Sequence, residues 1–160
     1  MCLFLALIYS ICLADITSSS VFEDEGFSWG PKFAHDGKVA KNSTEFFQSQ
    51  NESYPWLELR IASRFPTMVS QVNIVNRYDE HGERLENIEI RAGMTQVESG
   101  TSGEQLDINT VCGHITGPGE EGEEEIITCD PPIPATYVTV QKLDQGFLQI
   151  NELKVNPSKN

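Results

Sequence analysis

From about residue 55 onward the chain sustains no long apolar stripe at helical spacing; it alternates instead in short runs broken by Gly and Pro. Trp56 to Ile61 places charges at Glu58 and Arg60 between apolar neighbours, a period of two. Gln71 to Asn76 puts Val72 and Ile74 on one face, Asn87 to Gly93 puts Ile88 and Ile90 together, and Ala135 to Gln141 does so with Val138 and Val140. Glu125 to Cys129 and Phe147 to Val155 complete the series. A sheet that is apolar on one side must bury that side against another layer. The pattern therefore predicts an all-β sandwich or jelly roll. Residues 15–32, with Gly26, Gly30 and Pro31, read as an irregular N-terminal segment ahead of a domain over 33–157.

A chain of 160 residues is long enough for one domain with a real core. Acidic residues outnumber basic ones by 24 to 11, for a formal net charge of −13. That balance argues against nucleic acid, whose phosphates need clustered Lys and Arg, and against adsorption to anionic membranes. Met1 to Ala14 is apolar, uncharged and closes on Cys12-Leu13-Ala14. It reads as a secretory signal peptide cleaved after Ala14 and is too short to span a bilayer. The expected location is extracellular. Cleavage leaves Cys112 and Cys129, and an even count in a secreted chain suggests one disulfide between them. The sequons Asn42-Ser43-Thr44 and Asn51-Glu52-Ser53 mark Asn42 and Asn51 as N-glycosylation acceptors. Gly117 to Glu125 is an acidic run that reads as a solvated loop.

The stretch Asn76-Arg77-Tyr78-Asp79-Glu80-His81-Gly82-Glu83-Arg84 concentrates the chemistry. Arg77 and Asp79 are two apart at a strand end, so their side chains leave the same face. Gly82 permits a turn that returns Arg84 toward Arg77, with Asp79 set between the two guanidiniums to offset their charge. The product is a rigid fork of donors suited to hydroxyl and ring oxygens. No Ser-His-Asp order, zinc motif or phosphate loop appears, so the chain reads as a binding protein and not an enzyme.

The pattern R-x-D-x4-R formed by Arg77, Asp79 and Arg84 resembles the sugar-binding motif of the F-type (fucose-binding) lectins. The likeness extends over about residues 33–155 and includes Ala34-His35-Asp36-Gly37, Pro55-Trp56, the cysteine pair, Tyr137 to Val140, Leu148-Gln149 and Glu152. It implies an eight-stranded β-jelly-roll sandwich of the galactose-binding-domain kind. It also implies a carbohydrate site in which Arg77 and Arg84 bind L-fucose or a related sugar and Asp79 orients them. Gln48 stands where the family has a His, and an amide can both donate and accept there. Glu80 and His81 replace paired cysteines, and Phe46 and Asn151 replace a second disulfide. The family's structural Ca²⁺ maps onto the carboxylates of Asp36 and Glu152, the backbone carbonyls of Phe33, Lys38 and Asn151, and Glu45 at a Ser position. Fucosylated or related glycans are the expected partners, displayed through a homo-oligomer for avidity. The replacements at Gln48, Glu80 and His81 define the alternative: a module of this fold that has lost fucose and binds a protein or another glycan.

Overall fold

The computed structural model describes residues 15–159; the segment read as a signal peptide, with Cys2 and Cys12, lies outside the described residues. Eight strands form the body: β1 (Asp15–Ser18), β2 (Trp56–Arg60), β3 (Thr67–Val75), β4 (Ile88–Gly93), β5 (Thr110–Ile115), β6 (Glu124–Ala135), β7 (Tyr137–Lys142) and β8 (Glu152–Pro157). They make a five-stranded sheet in the order β1-β2-β7-β4-β5 and a three-stranded sheet in the order β6-β3-β8. Every pairing within them is antiparallel. This is the expected eight-stranded sandwich.

The period-two residues meet between the sheets. Leu57 and Leu59 of β2, Val138 and Val140 of β7, and Ile88 and Ile90 of β4 are buried in one cluster with Val69, Val72 and Ile74 of β3 and Leu153 of β8. Val72 and Leu57 are fully enclosed, and burying side chains of this size stabilises by roughly 1.5–3 kcal/mol each. The outer face of the larger sheet is covered as well. Residues 94–109 fold over it, packing Val97 and Leu106 on Trp56. Trp56 is thus a core residue, and its Nε1 donates to the Thr101 carbonyl at 2.9 Å. Glu58 is enclosed on this face, accepting from the Val97 amide at 2.9 Å. Its burial pushes its carboxyl above the usual range.

Two features depart from the sequence reading. Residues 15–32 are not irregular throughout: Asp15–Ser18 pairs with Ser18↔Leu57 through Asp15↔Arg60 register and forms an edge strand. β5 was not anticipated, because Thr110-Val111-Cys112-Gly113-His114-Ile115 carries no clean alternation. Gly113 is needed there, since a Cβ would lie 2.6 Å from the Ile127 methyl. β5 is an edge of the larger sheet and β6 an edge of the smaller one, and the disulfide Cys112–Cys129 joins them. The expected pairing is present.

The end of the sandwich where β3 stops and β6 and β8 begin carries the segments that matter for function. Asn76–Arg84 leaves β3 there. Beside it, Phe47–Gln48 pairs with Gln149–Ile150, and Glu52–Ser53 pairs with Gln145–Gly146. No helix among the described residues is long and apolar enough to cross a membrane.

Candidate functional site

Asn76 organises the turn. It is fully buried, and its amide donates to the carbonyls of Gly82 and Glu120, both at 2.8 Å. The Gly122 amide donates to the Arg77 carbonyl at 2.7 Å, and the Asn76 amide to that of Glu123 at 2.8 Å. The acidic run is therefore docked by its backbone, while the side chains of Glu120, Glu121 and Glu124 stay exposed. Gly82 serves this docking and not a left-handed turn. A Cβ on it would lie 2.6 Å from the Glu121 amide nitrogen. His81 takes the left-handed conformation instead, with φ 57° and ψ 33°. A 3-10 turn over Gly82–Arg84 then brings Arg84 back toward Arg77.

Each guanidinium is held on several sides. Arg77 is only 4% exposed and binds Asp79 in a two-pronged pair, Nε to Oδ1 at 2.7 Å and Nη2 to Oδ2 at 2.6 Å. The hydrogen bonds from Arg77 hold the Asp79 carboxyl below its usual range. Arg77 Cζ lies 4.5 Å from the centroid of the Phe46 ring, and Arg84 Cζ lies 4.7 Å from that of Phe147. The group between the arginines is Gln149. With its amide oxygen toward them it accepts from Arg77 Nη1 at 2.8 Å and Arg84 Nη1 at 3.0 Å. Gln48 lies 2.6 Å from the same atom, so its own amide nitrogen turns toward it.

The four residues singled out from sequence, Gln48, Arg77, Asp79 and Arg84, thus belong to one network. One detail is corrected: Asp79 pairs with Arg77 alone and does not separate the guanidiniums. Gln149, Phe46 and Phe147 were not assigned a role in sequence. Gln149 carried a legible signal, a buried amide inside the apolar run Phe147-Leu148-Gln149-Ile150, which demands polar partners. Continuing the Gln48↔Gln149 register sets Phe46 opposite Asn151. Beside Arg84 opens a cleft of about 450 Å³ lined by Asn51, Arg84, Glu86, Lys142, Gln145, Gly146 and Phe147.

A second cluster lies where the 3-10 turn Pro31–His35 meets β8. His35 Nδ1 is 2.8 Å from the Leu153 carbonyl. Glu152 is 3% exposed; Oε1 accepts from the Gly37 amide at 3.3 Å, while Oε2 is buried without a partner among the described residues. Burial, with a smaller effect from the nearby Asp36 charge, pushes the Glu152 carboxyl up to about 7. Asp36 Oδ1 accepts from the Lys38 amide at 2.9 Å. Asn151 is tied by its side chain to both backbone groups of Ala40, at 2.9 and 2.6 Å. Phe33 sits within the turn, its amide donating to the Gly30 carbonyl at 3.2 Å. Glu45 is exposed. Among the described residues no three His, Cys, Asp or Glu side chains form a cluster able to hold a metal by themselves. His114 lies in β5, 2.9 Å from Glu89, and His81 lies 3.3 Å from Glu83.

The topology and the closed sandwich define a jelly roll of the galactose-binding-domain kind. Solved structures share it. The fucolectin from striped bass serum aligns with a TM-score of 0.76 at 22% identity, over 91% of this chain and 47% of that one. The chain thus spans about half the length of that fucolectin. A fucose-binding module from Streptococcus pneumoniae aligns at 0.68 and 21% identity, over 90% of this chain and 91% of the other. The lectin domain of lectinolysin, in complex with Lewis B antigen, aligns at 0.64 and 20% identity, over 91% and 93%. The chain therefore shares its fold with these fucose-binding proteins. No protein-family model and no curated protein matches the sequence.

Proposed function

We propose that the chain is a secreted, calcium-supported lectin that binds terminal L-fucose or a related sugar and does not alter it chemically. The observation that carries this reading is the shared Gln149 oxygen, which accepts from both Arg77 and Arg84. With Phe46 and Phe147 beneath them, the guanidiniums are fixed before any ligand arrives, so little ordering cost opposes binding. Arg84 is only half-buried, and its remaining N–H groups border the cleft. A sugar hydroxyl there meets a charged donor already in position.

The second cluster fits a hard cation. Glu152 offers a buried carboxylate oxygen that lacks a donor, and Asp36 adds a second negative charge beside it. With the carbonyls of Phe33, Lys38 and Asn151, these oxygens would suit Ca²⁺, which takes six to eight. The ion would supply the positive charge that the paired carboxylates lack and hold residues 31–40 against β8. A single shallow site binds weakly, so a homo-oligomer would gain useful affinity through avidity.

Calorimetric titration with L-fucose in calcium, beside Arg84→Ala, tests the reading. Saturable heat in the parent and none in the variant is expected; no heat at millimolar sugar refutes fucose binding. One observation favours a second reading, a module of this fold that recognises another glycan or a protein. Each nitrogen of Arg77 already donates to Asp79 or Gln149, and the residue is almost wholly enclosed. A glycan array without a fucosylated hit, together with a recovered protein partner, would support it.

A further inference from the structure

Of the two sequons, one borders the arginine cleft. Asn51 is exposed and lines it together with Arg84 and Phe147. Its place is fixed by its neighbours. Glu52 Oε1 accepts from the hydroxyls of Ser19 and Ser20 at 2.6 and 2.5 Å. The Gln50 amide donates to Ser20 Oγ at 2.9 Å, and the Gln50 side chain to the Val21 carbonyl at 2.8 Å. Across the cleft the Glu52↔Gly146 and Ser53↔Gln145 pairing sets Asn51 beside Phe147. The residues on either side of Asn51 are thus bound to the 19–21 segment, while Asn51 itself stands at the cleft. Asn42 differs: its carboxamide oxygen accepts from the amide and hydroxyl of Thr44 at 3.2 and 3.0 Å, and it is not part of that cleft.

We propose that an N-linked oligosaccharide on Asn51 covers the Arg84 cleft, so that occupancy of this sequon switches ligand access. The inference rests on the reading of that cleft as the glycan site and of the chain as secreted. In the modification, Asn51 Nδ2 displaces a polyprenyl pyrophosphate from the anomeric carbon of a lipid-linked oligosaccharide. The N–C bond forms, and the pyrophosphate and one proton leave. An N-glycan is bulky and hydrophilic. Attached to a rigid bend at the rim, it occupies the volume that an incoming glycan needs.

The test uses the full chain secreted from eukaryotic cells, beside Ser53→Ala. That substitution removes the sequon but leaves Asn51 in place, and the Ser53 side chain is exposed. Mass spectrometry of the Asn51 peptide gives occupancy. Phenylglyoxal labelling of Arg84 reports access to the cleft, and binding of a fucosylated neoglycoprotein reports function. Labelling of occupied parent protein is expected to be roughly fivefold slower than that of S53A, because the sugar chain is bulky. Its binding is expected to be roughly tenfold weaker. An unoccupied Asn51, or equal labelling rates in the two proteins, overturns the inference. Slower labelling of the parent with no neoglycoprotein binding by either protein upholds the shielding and refutes the glycan-binding reading instead.

Discussion

Gln149→Met removes the oxygen that Arg77 and Arg84 share while nearly preserving side-chain volume, so packing changes little. Arg77 is almost wholly enclosed, so its Nη1 would have little access to water in place of the lost acceptor. A hydrogen bond to a charged group contributes roughly 1.5–3 kcal/mol, so this arm should lose about 2 kcal/mol. Arg84 is half-buried and recovers water, so its arm should lose about 1 kcal/mol. The two arginine arms together should lose about 3 kcal/mol, and the buried Gln48 amide also loses its acceptor, so the melting temperature should fall by at least about 6–12 °C for a chain of this size. Urea unfolding followed by tryptophan fluorescence measures it, with the slope against urea unchanged. Gln149→Glu keeps an acceptor at the same place and should be at least as stable as the parent. A Met variant within about 0.5 kcal/mol of the parent would refute the arrangement, since one lost charge-assisted bond already exceeds that.

Glu152 makes stability depend on pH in calcium-free protein. Its folded value of about 7 lies above the ordinary 4.5, so the unfolded chain ionises first as pH rises. Stability from this group is intact below about pH 4.5 and falls through about 7, by about 3 kcal/mol in all. In EDTA, melting temperatures across that window should decline more steeply for the parent than for Glu152→Gln, in which Glu58 is still raised by burial; calcium should raise the melting point of the parent alone at pH 8. Gly82→Ala puts a methyl 2.6 Å from the Glu121 backbone; it should cost about 1–3 kcal/mol in denaturant unfolding and weaken ligand binding by displacing Arg84. Replacing Cys112 and Cys129 together with Ala opens a link of sequence separation 17. That should lower stability by about 3 kcal/mol, measurable by calorimetry.

The short alternating runs determined which residues face inward, because side-chain direction in a strand follows sequence position alone. Val72, Ile74, Val138 and Val140 are core for that reason. The R-x-D spacing likewise put Asp79 within reach of Arg77, although the two meet in the bend beyond the end of β3 and not on extended strand. Of the four cysteines, Cys112 and Cys129 lie within the domain, and the structure joins them.

Strand partners are another matter. Periodicity says which face a residue lies on, not which strand lies opposite, and the partner is chosen by packing over the whole chain. Only the tertiary structure therefore placed Gln149 against two arginines from a distant turn, and Phe46 and Phe147 beneath them. It alone showed that the acidic run docks by its backbone, because the Asn76 amide that binds it lies far off in sequence. It alone showed that Glu152 Oε2 is buried without a partner among the described residues. A carboxylate's desolvation depends on what covers it, and that cover comes from segments the local sequence does not name.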